Sequence, residues 1–321
     1  MALRLIIFFL PVMLVFFSCV ENLIFIQIHP GKQTYMKFES MGDSLDIYNN
    51  DFIHPYESEQ WTSSYKKIND TTDNWSFITE GSFLESKYIF IDSGKSNLGY
   101  RYEKNIIPSF FGVQYEFRLI FSGTKIKTEF PGLYDAIISK KLDSLYWIPE
   151  ALIILMDKGL SDLTSDSLSP KKIIWNKRLV NHMRNSFAKV DIEKNLKIIE
   201  KDRVGFLKDL LTPFNVGEDF PSMLAESMET HGDILRSKID LNDDNFIIKL
   251  LMPGQIISTN AINMIDDTLI WEFGIDSLLN QDYVLKANSR LYTIERLEKI
   301  LISIGVIVFL FIGYWLKKHR S

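Results

Sequence analysis

The chain has almost no sulfur chemistry to offer: Cys19 is the only cysteine in 321 residues. A single thiol forms no intramolecular disulfide and no cysteine-based zinc site, which excludes stapled secreted scaffolds and zinc ribbons. A basic excess is missing too. Lys and Arg total 36 against 41 Asp and Glu, for a formal charge of −5, and that balance argues against nucleic acid as a partner. Catalytic signatures are equally scarce. There is no Gly-x-Ser-x-Gly elbow and no His-Glu-x-x-His pair, and His29, His54, His182 and His231 fall in separate predicted elements. Ser93-Gly94-Lys95-Ser96 has Ile89 where a phosphate loop needs its first glycine, so it reads as a surface turn. Asp240, Asn242 and Asp244 have the spacing of the first calcium-loop ligands. Asn245 replaces the required glycine, however, and Leu251 stands where the bidentate glutamate belongs, so they read as a solvated turn. Only a tertiary convergence of His29 and His54 with Asp43, Asp46 and Asp51 would assemble titratable groups, and solvated loop residues are the default. The expectation is a protein with no catalytic residues, no metal and no cofactor.

What the chain does have is concentrated at its ends. Residues 1–18 carry Arg4, an apolar core from Leu5 to Phe17 interrupted by Pro11, and Ser18. This charged, apolar, small-residue order is that of a secretory signal peptide, with a core too short for a comfortable membrane span. The stretch Val15-Phe16-Phe17-Ser18-Cys19 resembles a bacterial lipoprotein signal. That resemblance implies cleavage before Cys19 and acylation of its thiol with palmitate-like chains; an uncleaved signal anchor is the alternative. From Ile300 to Leu316 every residue is apolar, aromatic, Gly or Ser, and Lys317, Lys318, His319 and Arg320 follow. This predicts a transmembrane helix over 299–316, with Tyr314 and Trp315 in the interfacial belt, and a cytoplasmic basic tail over 317–321. The main domain then lies on the outer face of the bacterial cytoplasmic membrane. The spanning helix supplies permanent retention, and the Cys19 lipid is a second tether holding the N-terminal edge to the same bilayer.

Between the ends, 46% hydrophobic and 24% charged residues describe a globular domain without repeats or long linkers. Residues 19–131 read as β-rich. Leu23–His29 and Gln33–Ser40 flank the turn Pro30-Gly31-Lys32 as a hairpin, residues 41–74 form a polar loop, and strands resume over Trp75–Ile91 and Val113–Phe130. Residues 132–236 switch to helical spacing. Tyr134, Ile137, Ile138, Leu142, Leu145, Tyr146 and Ile148 share one face before Pro149 interrupts it. Ile173, Ile174, Leu179, Val180, Met183 and Phe187 mark a second helix, Leu196–Leu211 a possible continuation, and Ser222–Arg236 a third. Residues 237–295 return to strands at Asn245–Met252, Gln255–Thr259, Thr268–Phe273 and Tyr283–Leu291. The fold class expected is α+β: an antiparallel sheet domain with a long helical insertion, plus the C-terminal transmembrane helix.

Leu251-Met252-Pro253-Gly254-Gln255, the strand Thr268-Leu269-Ile270-Trp271-Glu272-Phe273 and Leu285-Lys286-Ala287-Asn288-Ser289-Arg290 resemble the closing strands of the LppM-type bacterial envelope lipoprotein domain. The opening hairpin fits the same family. The resemblance implies binding of membrane lipid or glycolipid and supplies no catalytic residues. The alternative is a scaffold that docks another envelope protein through the helical insertion. Taken as residues alone, Pro253-Gly254 is a tight turn and Trp271 a core aromatic.

Overall fold

The structure, a computed structural model, describes residues 20–44, 47, 54–55, 58–69, 74–90, 98–109, 112–164, 170–188, 199, 201–292 and 294–319. The expected signal peptide over 1–18, Cys19, Asp46, Asp51, the expected turn Ser93–Ser96, and Arg320 and Ser321 lie outside the described residues.

The predicted hairpin is present as β1 (Glu21–Ile28) and β2 (Thr34–Gly42). Strict alternation sends Ile24, Ile26 and Ile28 from one strand and Met36 and Phe38 from the other to the same buried face. β3 (Trp61–Asn69) and β4 (Asn74–Phe83) extend this sheet past β2, and β5 (Lys87–Phe90), β6 (Tyr100–Ser109) and β7 (Gly112–Phe121) open a second one. β3 occupies the expected polar loop. Only Trp61 and Ser63 of its residues turn inward, a pattern too polar to announce a strand. β6 has no clean apolar alternation because a lysine, Lys104, takes a core position behind Tyr100 and Tyr102.

After β7 the chain is helical sooner than expected. α1 (Ile126–Glu129) and α2 (Pro131–Ile138) replace the end of the predicted strand and start the insertion. The single amphipathic helix expected up to Ile148 is broken in fact: Lys140, at φ 54°, turns left-handed just after α2. Ile138 and Tyr146 are half-exposed instead of sharing a buried face. Pro149 does not interrupt a helix but opens one, α3 (Ile148–Thr164), in the first turn where a missing N–H costs nothing. α4 (Pro170–Ala188), α5 (Arg203–Leu211) and α6 (Phe220–Asp240) complete the layer. Asp202 caps α5 by accepting from the Gly205 amide at 2.7 Å, and α6 runs past the expected boundary at residue 236. Leu155, Met156, Leu160, Leu179, Met183, Leu207, Leu224 and Met228 form the helical core, with Gly159 allowing α3 to approach Leu224 and Met228.

The strands that follow are β8 (Asn245–Leu251), β9 (Gln255–Thr259), β10 (Asn263–Ile265), β11 (Thr268–Phe273) and β12 (Tyr283–Tyr292). They do not close one antiparallel sheet. They distribute over two, in the orders β10-β11-β8-β1-β2-β4-β3 and β5-β6-β7-β12-β9, and β8 runs parallel to β1. A parallel neighbour needs a crossover, and here it comprises β2–β7 and then the helical insertion, which leads from β7 of the second sheet back to β8 of the first. The two sheets meet through rings: Phe38 on Tyr100 at 5.9 Å, Phe83 on Tyr102 at 5.5 Å, Phe117 on Trp271 at 6.3 Å and Phe121 on Phe273 at 5.1 Å.

This sandwich has two distinct ends. At the insert end the helices attach: Thr124 N donates to Leu278 O and Lys238 Nζ to Thr124 O, both at 2.8 Å. At the turn end lie the Pro30 and Pro253 turns, the latter needing Gly254 at φ 80°. Val20, 7% exposed, is already fixed at the insert end, where its carbonyl accepts from Asn245 N. β12 starts at that level, with Tyr283 against Phe273 at 4.5 Å, and finishes at the turn end. Nine residue steps put the two chain exits about 30 Å apart. Val20 and Tyr292 therefore mark opposite ends of the sandwich.

That C-terminal segment is α7 (Ile294–His319), one residue beyond β12. Its described side chains, at positions 298, 301–312 and 315, are all exposed. Among the described residues no helix is long and apolar enough to cross a membrane, so the fold itself is α+β with antiparallel-rich sheets and a helical insertion.

Candidate functional site

Polar side chains gather on the inner face of the seven-stranded sheet at the insert end. Register sets Asn22 (β1) beside Ser40 (β2), and Thr79 (β4) beside Ser63 (β3). His54 joins the two pairs. Ser63 Oγ lies 2.9 Å from Thr79 Oγ1, Thr79 Oγ1 3.1 Å from His54 Nδ1, and His54 Nε2 2.9 Å from Ser40 Oγ. Ser40 Oγ donates to Asn22 Oδ1 at 2.6 Å, and Asn22 Nδ2 donates to Asp244 Oδ2 at 3.3 Å. The ring of His54 stacks on Phe77 at 4.4 Å and lies 5.9 Å from Phe38.

The direction of donation decides what this network does. Ser40 has one proton and gives it to Asn22, so it accepts from His54 Nε2–H; His54 Nδ1 then accepts from Thr79, and Thr79 from Ser63. A nucleophilic serine needs the reverse, a histidine that accepts the hydroxyl proton. Burial pushes the His54 imidazolium down to about pKa 3, so the ring is neutral over the physiological range. Ser40 is 6% exposed, too enclosed to meet a substrate. The chain from Ser63 to Asp244 clamps His54 onto the sheet.

A second polar cluster closes the turn end. Lys104, 2% exposed, donates to Lys32 O at 2.5 Å and to Thr34 Oγ1 at 2.8 Å; Thr34 lies 2.8 Å from Tyr102 OH, and Tyr115 OH donates to Pro30 O at 3.0 Å. Burial lowers the Lys104 ammonium against an opposing pull from Glu85. The cluster satisfies the carbonyls of the β1–β2 turn.

The remaining residues weighed in the sequence are dispersed. His29 follows β1 at the turn end, while His54 lies toward the insert end beside Ser40 and Thr79, so the two do not converge. His182 meets Phe214 edge-on at 5.3 Å and His231 pairs with Asp162 at 2.6 Å. Asp240 ends α6, with a carboxyl raised by burial, and Asp244 turns to Asn22. No group of three or more His, Cys, Asp or Glu able to hold a metal occurs among the described residues. Trp271 is fully buried and donates to Asn260 Oδ1 at 3.1 Å. An open hollow of about 360 Å³ lies beside β11, between Asn245, Ile262, Ile270, Glu272 and Phe273.

The surface that stands out is on α4. This helix has Lys171, Lys172, Lys177, Arg178 and Arg184 and no acidic residue. Leu179 and Met183 bury one side, while Ile174, Lys177, Arg178, Asn181, Arg184 and Asn185 recur at three- and four-residue spacing on the exposed side. The stripe runs about 16 Å at 1.5 Å per residue. Neither Lys177 nor Arg178 forms an ion pair among the described residues. Ile173 and Ile174, expected in the core, are 43% and 53% exposed. The run of cations was legible in the sequence; that the two isoleucines join it was not. Comparison of the chain with protein-family models, with curated proteins and with solved structures finds no match.

Proposed function

We propose that this protein is a non-enzymatic, membrane-anchored component of a bacterial envelope, and that its sandwich is a platform for a helical layer that docks an acidic partner protein. The observation that carries the docking is the α4 stripe: clustered cations without counter-charges on their own helix, next to two exposed isoleucines that give a partner apolar contact. The membrane placement is supported by α7, where Leu301, Ile302, Phe309, Leu310 and Phe311 are each more than 60% exposed. A helix apolar on every side is suited to lipid. In this reading Ile300–Leu316 spans the cytoplasmic membrane, the basic tail is inside, the sandwich is outside, and Cys19 is the lipidation site. Neither a cofactor nor nucleic acid has a role.

Photo-crosslinkers at positions 177 and 181 in cells test the docking. The expected result is one protein adduct that is lost on charge reversal of Arg178 and Arg184 while the thermal transition is unchanged. Adducts from the sandwich but none from α4 would refute it.

Lipid or glycolipid binding, as the LppM-type resemblance implies, is the second reading. Among the described residues the space between the sheets is filled by aromatic rings, so a lipid contact there belongs on the outside. One outer surface favours it.

A further inference from the structure

We infer that the corner of the sandwich formed by β9, β10 and the end of β12 rests in the headgroup region of the bilayer that α7 enters, a conclusion that builds on the membrane placement above. Ile257, Ile262, Met264, Ile265 and Tyr292 are between 49% and 60% exposed there. β9 is the edge of the five-stranded sheet and pairs with β12, the strand that leads into α7; β10 is the edge of the seven-stranded sheet on the same side. Asn260 fixes the crossover between them, donating to Val284 O at 2.7 Å and accepting from Lys286 N at 2.7 Å and Trp271 Nε1 at 3.1 Å. The apolar corner is thus fixed to β12, the strand that precedes α7 in the chain.

The opposite edge shows what a water-facing edge looks like in this protein. β3 carries Lys66 and Lys67, and its exposed Tyr65 stacks on Phe77 at 4.3 Å. Lysines of this kind keep an edge strand from pairing with other chains. β10 has no charge within the strand. Its protection has to come from a cover, and the bilayer is the apolar phase that α7 brings to it. Laying this edge down also runs the strands along the membrane surface, which lets the insert end, where Val20 lies, reach the same leaflet despite the separation of about 30 Å. The hairpin tip selects the lipid. Asp266 and Asp267, both at positive φ in the turn after β10, place two carboxylates at headgroup level, where zwitterionic amine headgroups are favoured over anionic ones.

The test uses the full chain in nanodiscs of phosphatidylethanolamine and phosphatidylglycerol, with a photo-crosslinking residue at position 257, 264 or 265, or at 65 or 68 on β3 as controls of similar exposure. Phospholipid adducts from the corner are expected at least about fivefold above the β3 controls. Asp266→Lys with Asp267→Lys is expected to shift those adducts from phosphatidylethanolamine toward phosphatidylglycerol. Insertion into nanodiscs with no excess at the corner overturns this inference alone, as does crosslinking of the corner to a second copy of the chain. Failure to insert at all overturns the membrane placement and this inference with it.

Discussion

His54 makes the sandwich sensitive to mild acid, and the size of the effect can be worked out. The folded state keeps the ring neutral down to about pH 3, whereas an unfolded histidine protonates near 6.5. Between those values the unfolded chain binds more protons, so stability falls as pH falls. At pH 5 the unfolded state gains RT ln(1 + 10^1.5), about 2 kcal/mol. Residual exposure of the residue relaxes this toward about 1 kcal/mol. His54→Gln removes the titration while retaining an amide that donates to Ser40 and a carbonyl that accepts from Thr79. The measurement is urea unfolding of both proteins at pH 7.5 and 5.0, followed by tryptophan fluorescence, since Trp61 and Trp271 are buried. Glu39 and Glu129 also lose stabilisation on acidification. Burial raises their carboxyls, but hydrogen bonds from Lys37 and Ser76 in one case and from Lys158 in the other hold them below the usual range. Their contribution is common to both proteins and cancels in the comparison. The acid-induced loss is expected to be smaller by about 1–2 kcal/mol in the glutamine variant. Equal losses in the two proteins would refute both the neutral histidine and the donor direction assigned to the network.

Burial raises the phenols of Tyr35, to about 12, and of Tyr100, Tyr102, Tyr115 and Tyr283; the unfolded chain therefore releases these protons first, and stability should drop as pH rises above about 10, with phenolate absorbance appearing together with unfolding. Trp271→Ala should cost about 3–5 kcal/mol in chemical denaturation because it empties a fully buried site. Gly254→Ala puts a Cβ 2.3 Å from Arg290 O at a φ of 80° and should lower stability by more than about 1 kcal/mol, visible as a lower thermal midpoint. Cys19→Ala should abolish acyl labelling yet leave the protein in the membrane fraction; release into the soluble fraction would contradict retention by α7.

Most of the local elements were legible because their period is local. The β1–β2 hairpin, β9 and β11 follow from alternation and turn residues alone, and the start of α4 from Pro170. The misses have a common cause. β3 and β6 place Ser63 and Lys104 on inward faces, and only partners from distant strands make those polar residues tolerable there: Thr79 for one, Lys32 O and Thr34 for the other. The cations of α4 could be counted in the sequence. Their assembly with Ile173 and Ile174 into an exposed face depended on which side α3 and α6 cover.

The sequence by itself determined the alternation of sheet and helix, the apolar C-terminal segment and the absence of a catalytic motif, since each is written in neighbouring residues. Tertiary structure alone decided that the strands divide into two sheets, that β8 enters parallel to β1, and that the two chain exits lie at opposite ends. It also joined Asn22 to Asp244 across a separation of 222 residues. Which strands become neighbours depends on burying both apolar faces at once, a condition on the whole chain that no local period expresses.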